Sequence, residues 1–206
     1  KIFGDVTKLI LGKPYLEEEF ASLRFQIRPD TFFQVNTETA EALLYEIQSE
    51  LNLQGNEILV DAYCGIGTLT LPLAKQVNLA IGLEVQKSAV AAAKNNAQYN
   101  HINNVTFYSG KVEELLSRIS KKPDIVILDP PRKGCEKTVI ETLRKAKPTR
   151  IVYVSCKPAT LARDLKQICQ DGLYTLSRVQ PADFFPQTSH VEVAAFLVLS
   201  DARQDT

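Results

Sequence analysis

Three reactive side chains sit where apolar runs begin or end. Asp129 follows the run Ile125–Leu128 and opens the turn Asp129-Pro130-Pro131-Arg132-Lys133-Gly134. Cys156 follows Ile151–Val154 and Ser155, and precedes Lys157-Pro158. Glu192 opens a stretch that is apolar from Val193 to Leu199. Two prolines strip the Asp129 turn of backbone donors and stiffen it. A neighbouring lysine and the amino end of a helix both favour a thiolate over a thiol at Cys156. A lone cysteine is commonly a small core residue. At the end of a strand and beside a second motif, Cys156 reads better as a nucleophile. The other three cysteines keep the core reading. Cys169 lies on an apolar helix face with Leu165, Cys64 fits a tight glycine turn, and Cys135 opens a helix with no base nearby.

A fourth group suggests what the nucleophile works with. Asp61-Ala62-Tyr63-Cys64-Gly65-Ile66-Gly67-Thr68 ends a buried run, and its two glycines let backbone pass close to a ligand. A dinucleotide fingerprint would place a third glycine at position 70, where Thr70 stands. The next strand ends in Glu84, placed to accept hydrogen bonds from both hydroxyls of a ribose. A glycine loop followed by this acid fits S-adenosylmethionine (SAM), and a bare G-x-G would also serve as a plain turn. Carbon 5 of a pyrimidine is a poor nucleophile. A thiolate adding to carbon 6 makes carbon 5 enolate-like and able to take a methyl group. A base must then remove the carbon 5 proton. Glu192 is the candidate, with His190 as runner-up, and a simple charge at a strand mouth is the alternative for Glu192.

These residues need a scaffold, and the periodicity supplies one. Strands are expected over 22–28, 58–62, 80–85, 105–108, 124–128, 151–154, 174–179 and 191–199. Helices are expected from 37 to 51, 68–76, 86–99, 112–119, 136–146 and 159–170. Alternation of strand and helix implies right-handed βαβ units. The expected fold is α/β and Rossmann-like: a seven-stranded, mostly parallel sheet, an antiparallel last hairpin, and helices on both faces. Residues 1–35 are expected to be an N-terminal segment left from a preceding region, and residues 36–206 the catalytic domain. Ligands of such sheets bind outside the carboxyl ends of the strands.

The chain has 206 residues and a formal net charge of zero, so no global basic field points to nucleic acid. Residues 132–150 are locally basic: seven lysines and arginines against Glu136 and Glu141 give +5. That run is either a solvated helix face or a phosphate-facing patch. Four cysteines without a C-x-x-C spacing, and only two histidines, argue against a metal or iron–sulfur site. No signal peptide or long apolar run occurs, so a cytoplasmic monomer with no membrane contact is expected. No methionine is present, which fits either a segment of a longer protein or methionine lost in processing.

Taken together, TFFQVN (31–36), DAYCGIGTLTLPLA (61–74), GLEVQKSAVAAAKNNA (82–97), DIVILDPPRKG (124–134), VSCKPATLARDL (154–165) and FFPQTSHVE (184–192) resemble the catalytic domain of the RNA (uracil-5-)-methyltransferases. The resemblance implies Cys156 as nucleophile and Glu192 as proton acceptor. It implies Gln34, Tyr63, Glu84 and Asp129 at the SAM site, with Gly65 and Gly67 in its loop and Thr68 as a looser match. Phe32 and Gln34 would help hold a flipped base, and Arg132 would meet base or phosphate. The implied substrate is a uridine in tRNA or rRNA. Relatives usually carry an upstream RNA-binding barrel, which residues 1–35 are too few to form. Two alternatives stand beside this reading: a SAM- or RNA-binding module without turnover, and an enzyme for another target such as cytosine carbon 5. Arg132 disfavours the latter, because RNA cytosine enzymes usually have a cysteine after the proline pair.

Overall fold

The computed structural model describes residues 7–200. From the amino end come strands β1 (Leu16–Phe20) and β2 (Leu23–Ile27), helix α1 (Thr37–Leu51), β3 (Ile58–Ala62), α2 (Thr70–Ala74), β4 (Leu79–Glu84), α3 (Lys87–Tyr99) and β5 (Val105–Ser109). Then follow α4 (Val112–Leu115), β6 (Ile125–Leu128), α5 (Lys137–Ala146), β7 (Arg150–Ser155), α6 (Pro158–Ile168), β8 (Tyr174–Ala182) and β9 (Glu192–Leu199). The main sheet is ordered β5-β4-β3-β6-β7-β9-β8. The strands from β5 to β7 run parallel, and β9 and β8 close the sheet antiparallel. This is the expected fold class.

Both faces of the sheet are covered, which explains why the central strands read as unbroken apolar runs. All four residues of β6 are fully buried. Leu59, Ile127, Val152 and Phe196 face a core shared with α1, α2 and α3. Val60, Val126, Tyr153 and Leu197 face a second core with α4, α5 and α6.

Three elements differ from the sequence expectation. Helix α2 begins at Thr70, two residues later than expected, because Gly65 and Gly67 hold left-handed backbone (φ 56° and 89°) and keep the loop turning. The helix expected over 112–119 is a single turn of α4 followed by a 3₁₀ turn. Strand β1 was not expected, since LEEEF lacks alternation. It forms because Ala21 and Ser22 both take positive φ (51° and 58°), the geometry of a tight antiparallel hairpin. The hairpin delivers Phe20 and Phe25 into the first core, where they meet Phe33 at ring-centroid distances of 5.8–6.1 Å. At the sheet edge, β8 runs on to Ala182 through Pro181, a residue an edge strand tolerates.

Candidate active site

A cleft opens at the carboxyl ends of the parallel strands, where β3, β4, β6 and β7 each deliver one side chain. Tyr63 follows β3, Glu84 ends β4, Asp129 follows β6 and Cys156 follows β7, and all four line the cleft. Strand β9 runs the other way and brings its first residue to the same edge. Ser155 pairs with Val193, and the residues flanking this last pair, Cys156 and Glu192, both line the cleft. Arg132 and the proline pair form the outer wall, and Phe32 and Gln34 enter from the segment before α1. Phe32 is 71% exposed and stands at the rim. The cleft spans about 1520 Å³ and continues into a smaller inner chamber of about 640 Å³, both counted with their open mouths. Phe32, Gln34, Tyr63, Gly65 and Asp129 line both. Thr68 lines only the inner chamber.

The loop after β3 is built on backbone bonds. The N–H groups of Tyr63 and Cys64 both donate to the Leu83 carbonyl, at 2.9 and 3.0 Å. Tyr63 itself takes φ 71°, an uncommon setting for a large side chain. Glu84 accepts from Gly65 N–H (3.1 Å) and from Gln86 N–H (2.7 Å), which fixes its carboxylate beside the loop. A Cβ on Gly65 would meet nothing within 4 Å, so its backbone is open to a ligand. Gly67 lies behind the loop, against Leu71 and Phe107, and lines neither chamber.

A family model described as tRNA (uracil-5-)-methyltransferase matches residues 4–200. The chain belongs to the tRNA (uracil-5-)-methyltransferase family. It is 68% identical over 204 residues to an uncharacterized RNA methyltransferase of a Nostoc species, covering 99% of this chain and 44% of that protein. An uncharacterized RNA methyltransferase of Enterococcus faecalis is 45% identical over 199 residues, covering 95% and 43%. The chain spans less than half the length of these curated relatives. The crystal structure of Pyrococcus abyssi tRNA (uracil-54, C5)-methyltransferase with S-adenosyl-L-homocysteine superimposes with a TM-score of 0.80 at 36% identity, over 91% of this chain and 45% of that one. The crystal structure of M. jannaschii TYW2 with AdoMet shares the fold at 21% identity and a TM-score of 0.64.

In this uracil-5-methyltransferase-family chain the cleft gathers negative charge. Asp61 is buried at the end of β3. Its Oδ2 accepts from Thr70 Oγ1 at 2.5 Å, while Oδ1 has no partner among the described residues and the side chain lines the inner chamber. Burial pushes the Asp61 carboxyl up to about 7, with Thr70 opposing and Glu84 adding to the rise. Asp129 is open to the cleft on one side and enclosed by protein on the other. That enclosure, then the charges of Glu192 and Asp61, pushes it up to about 8. Burial raises Glu192 to about 7, with Arg132 pulling the other way. Its Oε2 also lacks a partner among the described residues.

The fold separates the candidates. His190 is exposed, meets Phe185 edge-on at 6.1 Å, and does not line the cleft. The basic run 132–150 is largely consumed by structure. Arg144 donates to the Gln167, Ile168 and Gln170 carbonyls at the end of α6 and pairs with Asp171. Arg150 pairs with Glu57, Lys133 with Glu136, and Lys137 with Glu141. Arg132 is the cation of this run that lines the cleft without an ion pair to a described residue. Sequence reasoning missed Asp61, although an acid inside a buried strand was a usable signal. It also missed Phe184, whose carbonyl accepts from Asn36 Nδ2 at 3.2 Å and which caps the inner chamber. Nothing local announced that contact.

Proposed function

We propose that this domain transfers a methyl group from SAM to carbon 5 of a uridine in RNA, tRNA or rRNA, through a covalent bond between Cys156 and carbon 6. The observation that carries the reading is that Cys156 and Glu192, the residues flanking the last β7–β9 pair, line one cleft together with Asp129 and Arg132. A nucleophile and a proton acceptor on the same small surface are what addition and elimination at one pyrimidine ring require. The family and the Pyrococcus abyssi neighbour support uracil carbon 5 as the position methylated.

The side of the cleft built by the ends of β3 and β4 fits SAM, which carries a net positive charge. Asp61 offers a buried oxygen unpartnered among the described residues, Gly65 an open backbone, and Glu84 an oriented carboxylate. Glu84 would hold the ribose hydroxyls. Gln34, Tyr63, Thr68 and Asp129 would line the remainder of that ligand, with Gly67 supporting the loop from behind. When bound, SAM supplies an electrophilic methyl group.

The chain's own residues do the rest. The target base must leave its stack to enter the cleft. Phe32 offers a flat apolar face at the rim, and Arg132 a cation for the base or its phosphate. Cys156 adds to carbon 6 as the thiolate, and carbon 5 gains nucleophilic character. After carbon 5 is methylated, Glu192 takes its proton and the electrons of that C–H bond expel the Cys156 thiolate. A carboxyl raised to about 7 is half-ionised near neutral pH and is a stronger base than an ordinary glutamate.

The test is intact-mass spectrometry of the whole protein mixed with SAM and RNA containing 5-fluorouridine. Fluorine does not leave as a proton does, so the reaction stalls after methyl transfer. A covalent complex that needs both SAM and Cys156 is expected. SAM binding with no adduct, on RNA that the unmodified protein methylates elsewhere, would overturn the carbon 5 mechanism.

A further inference from the structure

The segment Arg132–Cys135 forms no helix or strand, yet its backbone is held from one side by α6. Thr160 Oγ1 donates to the Arg132 carbonyl at 3.3 Å and Arg163 Nη2 to the Lys133 carbonyl at 2.9 Å. Cys135 N–H donates to Asp164 Oδ2 at 2.9 Å. Asp164 is fully buried although it is a helix carboxylate. It also accepts from the Tyr153 hydroxyl at 2.6 Å and from Arg163 Nε at 2.8 Å. The loop is shaped to receive it. Gly134 takes φ 80°, and a Cβ there would lie 2.4 Å from Asp164 Oδ2 and 2.5 Å from Arg163 Nη2.

Resting on the methylation reading above, the geometry points to Asp164 as a positioning residue that sets the base-facing turn against the nucleophile. Helix α6 starts at Pro158, two residues after Cys156, and the turn it grips continues directly from Asp129 and the proline pair. One rigid helix therefore connects the nucleophile's strand end to the wall opposite it. Asp164 lines neither chamber, so its effect passes through Arg163, Cys135 and Tyr153. Three acceptor contacts, one of them from the Arg163 guanidinium, offset the cost of burying its charge. Displacing a reacting wall by about 1 Å can slow chemistry about a hundredfold.

The experiment compares whole proteins: wild type, Asp164→Asn, Gly134→Ala and the double variant. Asparagine keeps the shape but cannot accept from all three donors. The readouts are SAM affinity, thermal midpoint, and the single-turnover rate of adduct formation at saturating SAM and saturating 5-fluorouridine RNA, well below the midpoint. Each single variant should slow adduct formation by about tenfold or more, with SAM affinity within about twofold, as its contacts lie outside the cofactor half. The double variant should be no slower than the slower single, since both break one contact. A folded Asp164→Asn with a wild-type adduct rate would overturn the assignment. If Asp164→Asn does not fold, Gly134→Ala and Thr160→Ala carry the test, and wild-type rates in both would overturn it equally. A wild type that forms no adduct would bring down the methylation reading, and this assignment with it.

Discussion

Two side chains carry the proposed chemistry, and they fail in different ways when removed. Cys156→Ala should abolish methylation while leaving SAM affinity within a few-fold, because the proposed role of Cys156 is a bond to the base and not a contact with the cofactor. Radiolabelled methyl transfer and a SAM titration check both halves of that statement. Glu192→Gln should still form the adduct but fail to release it, since the amide cannot accept the carbon 5 proton. Denaturing gels would show protein–RNA complex accumulating on ordinary uridine RNA. In the wild type the release step should quicken as pH rises through about 7 and then level, because Glu192 must be ionised to act and burial holds its carboxyl there. A flat rate between pH 6 and 8 would move the base elsewhere.

At the scale of elements, the β3 loop and β4 share their supports. Glu84 holds Gly65 and Gln86 N–H groups, so Glu84→Ala loosens the loop as well as unpairing a ligand's hydroxyls. SAM should bind more weakly by roughly 1–3 kcal/mol, as calorimetry would show. Gly82, inside β4, has a separate function. A Cβ there would meet Phe107 at 2.4 Å and Cys64 Sγ at 2.8 Å. Gly82→Ala should therefore cost about 1–3 kcal/mol of stability through overpacking, visible as a lower thermal midpoint. Cys64 is thus a packing residue, and burial raises its thiol well above the usual range.

Across the whole molecule, the cleft stores unbalanced acid. In the folded state Asp61, Asp129 and Glu192 hold protons up to about pH 7 to 8, whereas an unfolded chain releases them near pH 4. Their contribution to stability is full below the unfolded value and is lost as pH rises through the folded ones. Glu57 acts the other way. Burial works against its charge, but the Gln54 and Gly55 N–H groups and Arg150 prevail and lower its carboxyl, so its contribution is lost in acid. The ligand-free protein should therefore melt at a higher temperature at pH 6 than at pH 8.5, and saturating SAM, a cation, should narrow the gap. Calorimetric melts at both pH values would check this. Sequence alone determined the α/β alternation and placed Tyr63, Glu84, Asp129 and Cys156 at one edge. Each follows or ends an apolar run, and parallel strands all end on the same side. Only the tertiary structure decided that Glu192 shares the cleft with Cys156 and that His190 does not line it. It also decided that Asp61 keeps an oxygen unpaired among the described residues, that the 132–150 cations are mostly spent on carbonyls and carboxylates, and that β1 exists. Each of these depends on which distant strand or helix becomes a neighbour, and local periodicity carries no record of that pairing.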